Sequence, residues 1–168
     1  LEFVGDTESA GFDTTFFGIG ATAGDVDGDG DVDVLLTGRV GCQLYRNDGT
    51  GNFEQSTQFL AQKCSSSATF LDYDLDGDLD LFVCRYADIS LNPDKECRDP
   101  AGRLELCGPT AHPALHDLLL NNDGTGTFID VSAQHGLDRM AAAGLGVVVD
   151  DFTGDDLLDL YVANDGYE

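Results

Sequence analysis

The stretch "DVDGDGDVDV" at residues 25–34 places five aspartates within nine positions, all carrying the same charge. A second stretch, "DYDLDGDLDL" at 72–81, repeats the pattern, and "DDFTGDDLLDLYVAND" at 150–165 is a looser third copy. Each copy leads into an apolar segment, such as "VDVLLT", that alternates with the period of a strand. So many like charges in one loop require a counter-charge. The sequence therefore predicts a repeated cation-binding loop that precedes a strand.

The loops follow the pattern D-x-D-x-D-G-x-x-D, in which the first, third, fifth and ninth side chains converge when the backbone wraps around a point. Glycine at the sixth position permits the sharp turn, and the seventh position is expected to offer its carbonyl oxygen. The candidate ligands of the first loop are Asp25, Asp27, Asp29, Asp33 and the carbonyl of Asp31. Those of the second loop are Asp72, Asp74, Asp76, Asp80 and the carbonyl of Asp78.

The third loop departs from this pattern. Asp151, Asp155 and Asp159 keep the first, fifth and ninth positions. Thr153 replaces the aspartate of the third position, and Asp156 replaces the glycine. Because one carboxylate is missing and the turn lacks its permissive residue, we expect weaker or altered cation binding there.

Calcium suits such a loop best, because it accepts about six to eight oxygen ligands in flexible geometry. Magnesium demands a near-ideal octahedron, and zinc prefers nitrogen or sulfur ligands. The loops are not EF-hands, since Leu36 and Val83 occupy the twelfth position, where an EF-hand has a glutamate. The alternative is an acidic, solvated turn without metal. Two complete copies before strands favour calcium, whereas the third loop leaves the alternative open.

Composition limits the class of protein. The 168 residues include 32 acids and 8 bases, and the formal net charge is −24. A surface this acidic excludes nucleic acid or an anionic membrane as the expected partner. Hydrophobic residues make up 42% and fall in strand-like runs, which excludes a disordered acidic chain. No apolar run approaches the roughly 20 residues that span a bilayer, so no membrane insertion is expected.

Five cysteines in a calcium-type sequence indicate an oxidising compartment, extracellular or periplasmic, although the odd count leaves cytosolic thiols as an alternative. The N-terminus has no charged-then-apolar signal segment, so any export signal is expected upstream. Cys97 and Cys107 lie in the proline-rich segment "NPDKECRDPAGRLELCGP" and are expected to form a disulfide. Cys42 and Cys64 are a weaker candidate for a second bridge, which would leave Cys84 free. Spacing alone does not determine the connectivity.

Two predicted hairpins alternate with the aspartate loops. "LYRNDGTGNFEQST" at 44–57 and "LLLNNDGTGTFIDVS" at 118–132 carry Asp-Gly and Thr-Gly turn residues between alternating strands. Phe3, Phe53 and Phe128 mark the same place in three successive units, so the chain is expected to begin inside a repeat.

We expect one repeat region over residues 1–168. Its predicted parts are the end of a preceding unit at about 1–13, a unit at 14–63, a unit at 64–138 with a loop insertion at 87–114, and the start of the next unit at 139–168. The proline-rich insertion is interpreted as an excursion from a regular unit, not as a separate domain.

The units predict an all-β fold. Segments such as "VDVLLT", "QLYRN", "NFEQS" and "ATFLDYD" are rich in β-branched and aromatic residues, and no helix of three turns is evident. Units of about 50 residues with four antiparallel strands each indicate the blades of a β-propeller. Because propellers usually have four or more blades, we expect a fragment of a larger propeller, or closure with other chains through self-association.

These motifs resemble the FG-GAP or VCBS repeat proteins. The resemblance is carried by "GDVDGDGDVDVLLTG", "FLDYDLDGDLDLFVCRYAD", both hairpins and "LGVVVDDFTGDDLLDLYVAND", and it spans almost the whole chain. The "CGP" at 107–109 further resembles the secreted ASPIC and UnbV-like group, which includes cartilage acidic protein. Integrin α-subunit heads carry related repeats. The resemblance implies a seven-bladed propeller with calcium between blade strands, secreted or displayed on a surface, and serving adhesion or ligand binding.

The leading functional hypothesis is a calcium-binding extracellular module that binds a protein or glycan, with calcium in a structural role. The alternative is part of a secreted enzyme, such as a polysaccharide or sugar lyase or a dehydratase, that uses the propeller as a scaffold. In that case a pocket near His112, His116 and Asp117 would carry the chemistry, although two histidines without an activated nucleophile are a weak signal. A third hypothesis makes the repeat a spacer in a larger surface protein.

Overall fold

The computed structural model describes residues 5, 7–12, 15–58 and 60–166. Within these residues the regular structure consists of β-strands and three short 3-10 helices at Ile89–Leu91, Pro109–Ala111 and Leu137–Arg139. The predicted marker Phe3 and the predicted boundary between residues 13 and 14 lie outside the described residues. The predicted all-β fold of four-stranded antiparallel, blade-like sheets is confirmed.

The first sheet is an antiparallel meander whose strands follow one another in space as in sequence. Its strands are β1 (Gly18–Gly24), β2 (Asp33–Gly38), β3 (Gly41–Asn47) and β4 (Phe53–Gln55). The first aspartate loop connects β1 to β2. The predicted hairpin connects β3 to β4, where Asn47 pairs with Phe53 across the turn.

The second sheet repeats this meander around an insertion. Its first two strands are β5 (Ser65–Leu71) and β6 (Asp80–Arg85). The insertion contributes β7 (Cys97–Arg98) and β8 (Leu104–Glu105), and β9 (Leu115–His116) follows it. The sheet is completed by β10 (Leu118–Asn122) and β11 (Phe128–Asp130), in the order β11-β10-β6-β5. The second aspartate loop connects β5 to β6, as the first loop connects β1 to β2.

The insertion is a small closed ribbon. Ala87 and Ala114 form an isolated antiparallel bridge at its base, so the chain leaves and re-enters the sheet at one place. Further out, β7 pairs with β8. The insertion therefore adds local structure without interrupting the pairing of β6 with β10.

The third sheet has two strands within the described residues. A short strand, β12 (Ala141–Ala142), pairs with β9 and is followed by β13 (Gly144–Asp150) and β14 (Asp159–Asn164). The third aspartate loop connects β13 to β14. All three loops thus join the first two strands of a sheet.

The sheets meet along their first strands, with β5 in contact with both β1 and β13. The hydroxyl of Thr37 donates to the carbonyl of Ser66 at 3.2 Å, and the hydroxyl of Ser66 donates to the carbonyl of Gly144 at 2.6 Å. A Cβ on Gly20 would lie 2.8 Å from the Ser66 carbonyl, so glycine is required for this approach. The first strands β1, β5 and β13 each carry an irregularity in register near this point, so this feature recurs from sheet to sheet.

Two apolar cores lie between successive sheets. Leu35 and Leu44 of the first sheet pack with Leu81 and Val83 of the second. On the other face of the second sheet, Phe82 belongs to a cluster whose remaining members include Leu71, Leu119, Val131, Val147, Val149 and Val162. Both faces of β6 are therefore buried, which explains its continuous apolar run "LFVC".

The three aspartate loops share one backbone conformation, with left-handed residues at the fourth and sixth positions. The sequence pattern predicts the left-handed conformation at the sixth position but not at the fourth. The left-handed residues are Gly28 and Gly30 in the first loop, Leu75 and Gly77 in the second, and Gly154 and Asp156 in the third. The third loop thus makes its turn without the permissive glycine, and the second loop places a leucine with φ of 63° where glycine would be unstrained.

The disulfide between Cys97 and Cys107 is confirmed. The expected bridge between Cys42 and Cys64 is wrong, because both residues are buried free thiols, as is Cys84. The thiols of Cys42 and Cys64 have different neighbours. Cys42 is hydrogen-bonded to the side chain of Ser65, whereas Cys64 interacts with the backbone of Ala87.

The buried thiols should be unreactive in the folded protein. Burial raises the pKa of Cys42 to about 11 and that of Cys84 to about 12, and it also raises the pKa of Cys64, so that all three stay protonated at mildly alkaline pH. We expect a thiol reagent to react with no cysteine in the native protein, with three cysteines after unfolding without reductant, and with all five after unfolding with reductant. A count of one in the unfolded, unreduced protein would instead indicate a second bridge.

Replacing Leu75 with glycine should stabilise the second loop. A left-handed leucine costs about 1–2 kcal/mol, and the greater freedom of glycine in the unfolded chain offsets part of the gain. We expect Leu75→Gly to raise the free energy of unfolding by about 1 kcal/mol in chemical denaturation. The control is Leu106→Gly, because Leu106 is 97% exposed and lies outside the left-handed region. Equal losses of stability in both variants would contradict the strain at Leu75.

Candidate metal centre

The first aspartate of each loop binds the backbone of its own turn. In the first loop, Asp25 accepts the N–H of Gly28 at 2.8 Å through Oδ1 and the N–H of Gly30 at 2.9 Å through Oδ2. In the second loop, Asp72 likewise accepts the N–H groups of Asp76 and Gly77, both at 3.1 Å. The left-handed turn therefore points its N–H groups inward and wraps the loop around this carboxylate.

The ninth aspartate is buried and connects the loop to the hairpin of the same sheet. Asp33, 1% exposed, accepts the N–H of Val26 at 3.1 Å through Oδ2 and the N–H of Asn47 at 2.9 Å through Oδ1. Burial raises the pKa of Asp33, and the two backbone N–H groups oppose that rise. Both oxygens are engaged, so this carboxylate holds two loops together.

Asp80 occupies the same place in the second sheet and is fully buried. It accepts the N–H of Tyr73 at 3.1 Å and the N–H of Asn122 at 2.8 Å. Burial raises its pKa, and the N–H groups of Asn122 and Tyr73 oppose the rise. The aspartate loop and the hairpin, which are separate motifs in the sequence, are therefore one unit in each sheet.

Three carboxylates converge in each of the first two loops. Asp25, Asp27 and Asp29 each place an oxygen within 4.8 Å of the others in the first loop, as do Asp72, Asp74 and Asp80 in the second. The first group uses positions one, three and five, and the second uses one, three and nine. Two predicted carboxylate ligands lie outside these groups. They are Asp33, whose oxygens bind backbone N–H groups, and Asp76, which accepts the N–H of Asp78 at 2.9 Å.

The seventh residue of each of the first two loops contacts the hairpin turn of its sheet. A Cβ on Gly49 would lie 2.5 Å from Oδ2 of Asp31, and a Cβ on Gly124 would lie 2.5 Å from Oδ2 of Asp78. Both glycines have φ of 77°, so the turn requires glycine for its backbone and for this close approach. The sequence pattern predicts a ligand role for the carbonyls of Asp31 and Asp78 but not this side-chain contact.

The first loop fits a hard divalent cation. Oδ1 of Asp27 is buried and has no hydrogen-bond partner among the described residues, although it belongs to the group with Asp25 and Asp29. A buried carboxylate oxygen without a donor is costly unless a cation or proton satisfies it. Because the donor set consists of carboxylate oxygens alone, calcium suits it better than zinc.

The third position has a different neighbour in each loop. In the first loop Nη1 of Arg46 contacts Oδ2 of Asp27 and forms an ion pair. In the second, Nδ2 of Asn121 lies 3.3 Å from Oδ2 of Asp74 and 3.2 Å from Oδ1 of Asp80. The aspartate pattern alone does not predict these neighbours. The available signal was the hairpin alignment, in which "RNDGTG" and "NNDGTG" place Arg46 and Asn121 at the same position.

The third loop has the same left-handed turn around its first aspartate, but it lacks the group of three converging carboxylates among the described residues. Asp151 accepts the N–H groups of Gly154 at 2.6 Å and of Asp156 at 2.9 Å, and the bond from Asp156 is the main cause of its lowered pKa. Asp159 accepts the N–H of Thr153 at 3.1 Å, and Asp155 accepts that of Leu157 at 3.1 Å. Within the part of the chain that the structure describes, no three carboxylates converge here.

A cavity of about 320 Å³ lies at the opposite end of the second sheet, where β6 ends. Its lining includes Arg85, His116, Asp117 and Ser132, whereas His112 is absent from the described lining. Burial raises the pKa of Asp117, whose Oδ1 accepts the N–H of Arg85 at 2.8 Å. The two histidines of the enzyme hypothesis thus do not share this pocket.

A comparable cavity occurs at the same end of the first sheet. It has a volume of about 600 Å³ and is lined by residues that include Gln55, Ser56 and Thr57. In the hairpin alignment that pairs Phe53 with Phe128, Gln55 and Thr57 correspond to Asp130 and Ser132 of the second cavity. The space is therefore a recurring feature of these sheets.

Comparison with known proteins identifies the repeat. No curated protein matches the chain. A family model described as an FG-GAP-like repeat matches residues 25–83, from the first aspartate loop to β6. Such repeats are typical of propeller-type binding modules and of extracellular proteins. Among the described residues, no helix has the length and apolar character needed to cross a membrane. The narrower ASPIC and UnbV-like grouping stays a prediction, and the chain contains an FG-GAP-like repeat over residues 25–83.

Proposed function

We propose that this protein is a calcium-binding, extracellular, propeller-type module that binds a protein or glycan, with calcium in a structural role. One observation carries the proposal: equivalent loops of two adjacent sheets each gather three carboxylates, Asp25, Asp27 and Asp29 in one and Asp72, Asp74 and Asp80 in the other. Independent acidic turns would not be expected to repeat this arrangement at the same place in both sheets.

The position of the clusters supports a structural role. In the second loop, Asp72 and Asp74 lie at the start of the loop, whereas Asp80 is the first residue of β6. A cation held by all three would join the beginning of the loop to its end and offset the repulsion between the carboxylates. The same carboxylate of Asp80 binds the hairpin, so the cation would also stabilise the pairing of loop and hairpin.

Several features support an extracellular location. The disulfide between Cys97 and Cys107 closes the exposed insertion and is typical of an oxidising compartment. Extracellular calcium is abundant enough to fill sites of modest affinity. FG-GAP repeats are typical of extracellular proteins, which agrees with both features.

The charge of the module favours particular partners. A formal net charge of −24 would repel acidic partners and accelerate association with basic surfaces. FG-GAP repeats generally mediate the binding of protein ligands. A neutral or basic protein, or an uncharged glycan, is therefore the class of ligand that we propose.

Removing the metal should destabilise the protein, and calcium should restore its stability selectively. Calcium at a hundredfold its dissociation constant would contribute about 2.7 kcal/mol per site, which corresponds to a rise of roughly 5–10 °C in melting temperature for a chain of this size. Thermal unfolding of chelator-treated protein, titrated with calcium, measures the effect, and isothermal calorimetry gives the stoichiometry. We expect two sites, with a weaker contribution from the third loop.

The variants Asp25→Asn and Asp72→Asn should each remove one site and leave the other. Asp94→Asn is the matched control, because it makes the same change of charge at an exposed position outside the loops. An equal response to magnesium, or full calcium binding in both loop variants, would overturn the proposed calcium sites.

Ligand binding should depend on the calcium-loaded fold. We expect the protein to bind members of an array of glycans and purified extracellular proteins in calcium, and to lose that binding in chelator and in Asp72→Asn at a temperature where the metal-free loop is open. Asp94→Asn should bind as the unmodified protein does. If the protein binds nothing on the array in the presence of calcium, the result would favour the hypothesis that the repeat is a spacer in a larger surface protein.

A further inference from the structure

Arg46 connects the first aspartate loop to the second sheet. Its side chain is 28% exposed and extends from β3 to the carboxylate of Asp27, with which Nη1 forms an ion pair. Its other terminal nitrogen, Nη2, donates to the carbonyls of Thr125 at 2.9 Å and Gly126 at 3.0 Å. These carbonyls belong to the hairpin of the second sheet, so one guanidinium bridges two sheets.

The neighbouring hairpin is shaped to accept this guanidinium. Gly126 is buried, and a Cβ at this position would lie 2.2 Å from Nη2 of Arg46. The φ of Gly126 is 69°, which also favours glycine. The two carbonyls bind the guanidinium, and the lack of a side chain at Gly126 leaves room for it. These contacts, and not charge alone, therefore position Arg46 against Asp27.

The second loop has a neutral residue in the same place. Asn121 precedes Asn122 of its hairpin as Arg46 precedes Asn47. The amide of Asn121 approaches Asp74 and Asp80 at 3.3 and 3.2 Å. Both residues therefore donate to the third-position carboxylate, but only the first loop receives a permanent positive charge.

We propose that Arg46 sets the first loop to a lower calcium affinity than the second. This inference rests on the proposed calcium sites. Affinity at oxygen-ligand sites rises with the negative charge of the ligands, and Arg46 offsets one charge at the third position of the first loop alone. Oδ1 of Asp27 stays available while Oδ2 binds Arg46, so binding is weakened and not abolished.

The same contact gives the first loop a partial counter-charge in the absence of metal. Arg46 reduces the repulsion among Asp25, Asp27 and Asp29 and ties the loop to the second hairpin. Asn121 supplies no charge to the second loop. As calcium falls, the first loop should lose its metal first yet remain better ordered than the second.

The test exchanges the two residues. We expect calorimetry on the unmodified protein to resolve a weak and a strong site, assigned to the first and second loops by Asp25→Asn and Asp72→Asn. Arg46→Asn should tighten the weak site roughly tenfold, and Asn121→Arg should weaken the strong site by a similar factor. Arg46→Lys, which keeps the charge, should leave the weak site within about threefold of its original affinity.

The control is Arg98→Asn, which makes the same charge change at an exposed ion pair with Glu96 and should leave both affinities unaltered. A second readout needs no metal: in chelator, Arg46→Asn should unfold at lower denaturant than Arg98→Asn, because it loses the contacts to Asp27 and the hairpin. If Arg46→Asn fails to fold, Asn121→Arg still tests the proposal on the second loop.

The outcomes separate this inference from the proposed function. Calcium binding at two sites, with Arg46→Asn no tighter at the first loop or Asn121→Arg no weaker at the second, would overturn the role of Arg46 alone. Absence of calcium binding in the unmodified protein and in every variant would overturn the calcium sites themselves.

Discussion

The structure depends on a buried aspartate at the start of the second strand of each complete sheet. Asp33 and Asp80 each accept one N–H from the aspartate loop and one from the hairpin. An ionised carboxylate is costly to bury, and backbone N–H groups compensate part of that cost. The loop and hairpin must therefore be in place together, and the other carboxylates take their positions from this frame.

The sheets associate through a second recurring contact, the close approach of their first strands. Thr37, Ser66 and Gly144 form a relay of hydrogen bonds from the first sheet to the third, and Gly20 leaves room for it. Apolar cores on both sides of the second sheet stabilise the association. The polar relay sets how the sheets align, because its hydrogen bonds are directional, whereas the apolar contacts mainly hold them together.

The acidic loops illustrate how one motif can be given different electrostatic surroundings. Their backbones are closely alike, since each wraps its first carboxylate with N–H groups of a left-handed turn. The differences lie in what approaches the third position: the guanidinium of Arg46 in one sheet and the amide of Asn121 in the next. Repetition of the fold therefore does not require repetition of the site's charge.

Features that depend on residues close together in the chain could be predicted from the sequence. The period-two alternation indicated strands, the Asp-Gly turns indicated hairpins, and the spacing of Cys97 and Cys107 within one short loop indicated their disulfide. The aspartate spacing located the loops in which three carboxylates converge. All of these patterns lie within about a dozen residues, where chain geometry leaves few alternatives.

Features that join distant segments of the chain depend on how the sheets pack together and could not be predicted from the sequence. Arg46 lies 79 residues from Thr125, and Asn121 lies 47 residues from Asp74, with the insertion in between. Cys42 and Cys64 remained separate thiols, and His112 stayed outside the cavity lined by His116, because packing between sheets and the path of the insertion set those positions. Leu75 and Asp156 adopted the left-handed conformation that the loop imposes, against their own preference. Spacing in the sequence does not encode such contacts, since they depend on the alignment of whole sheets.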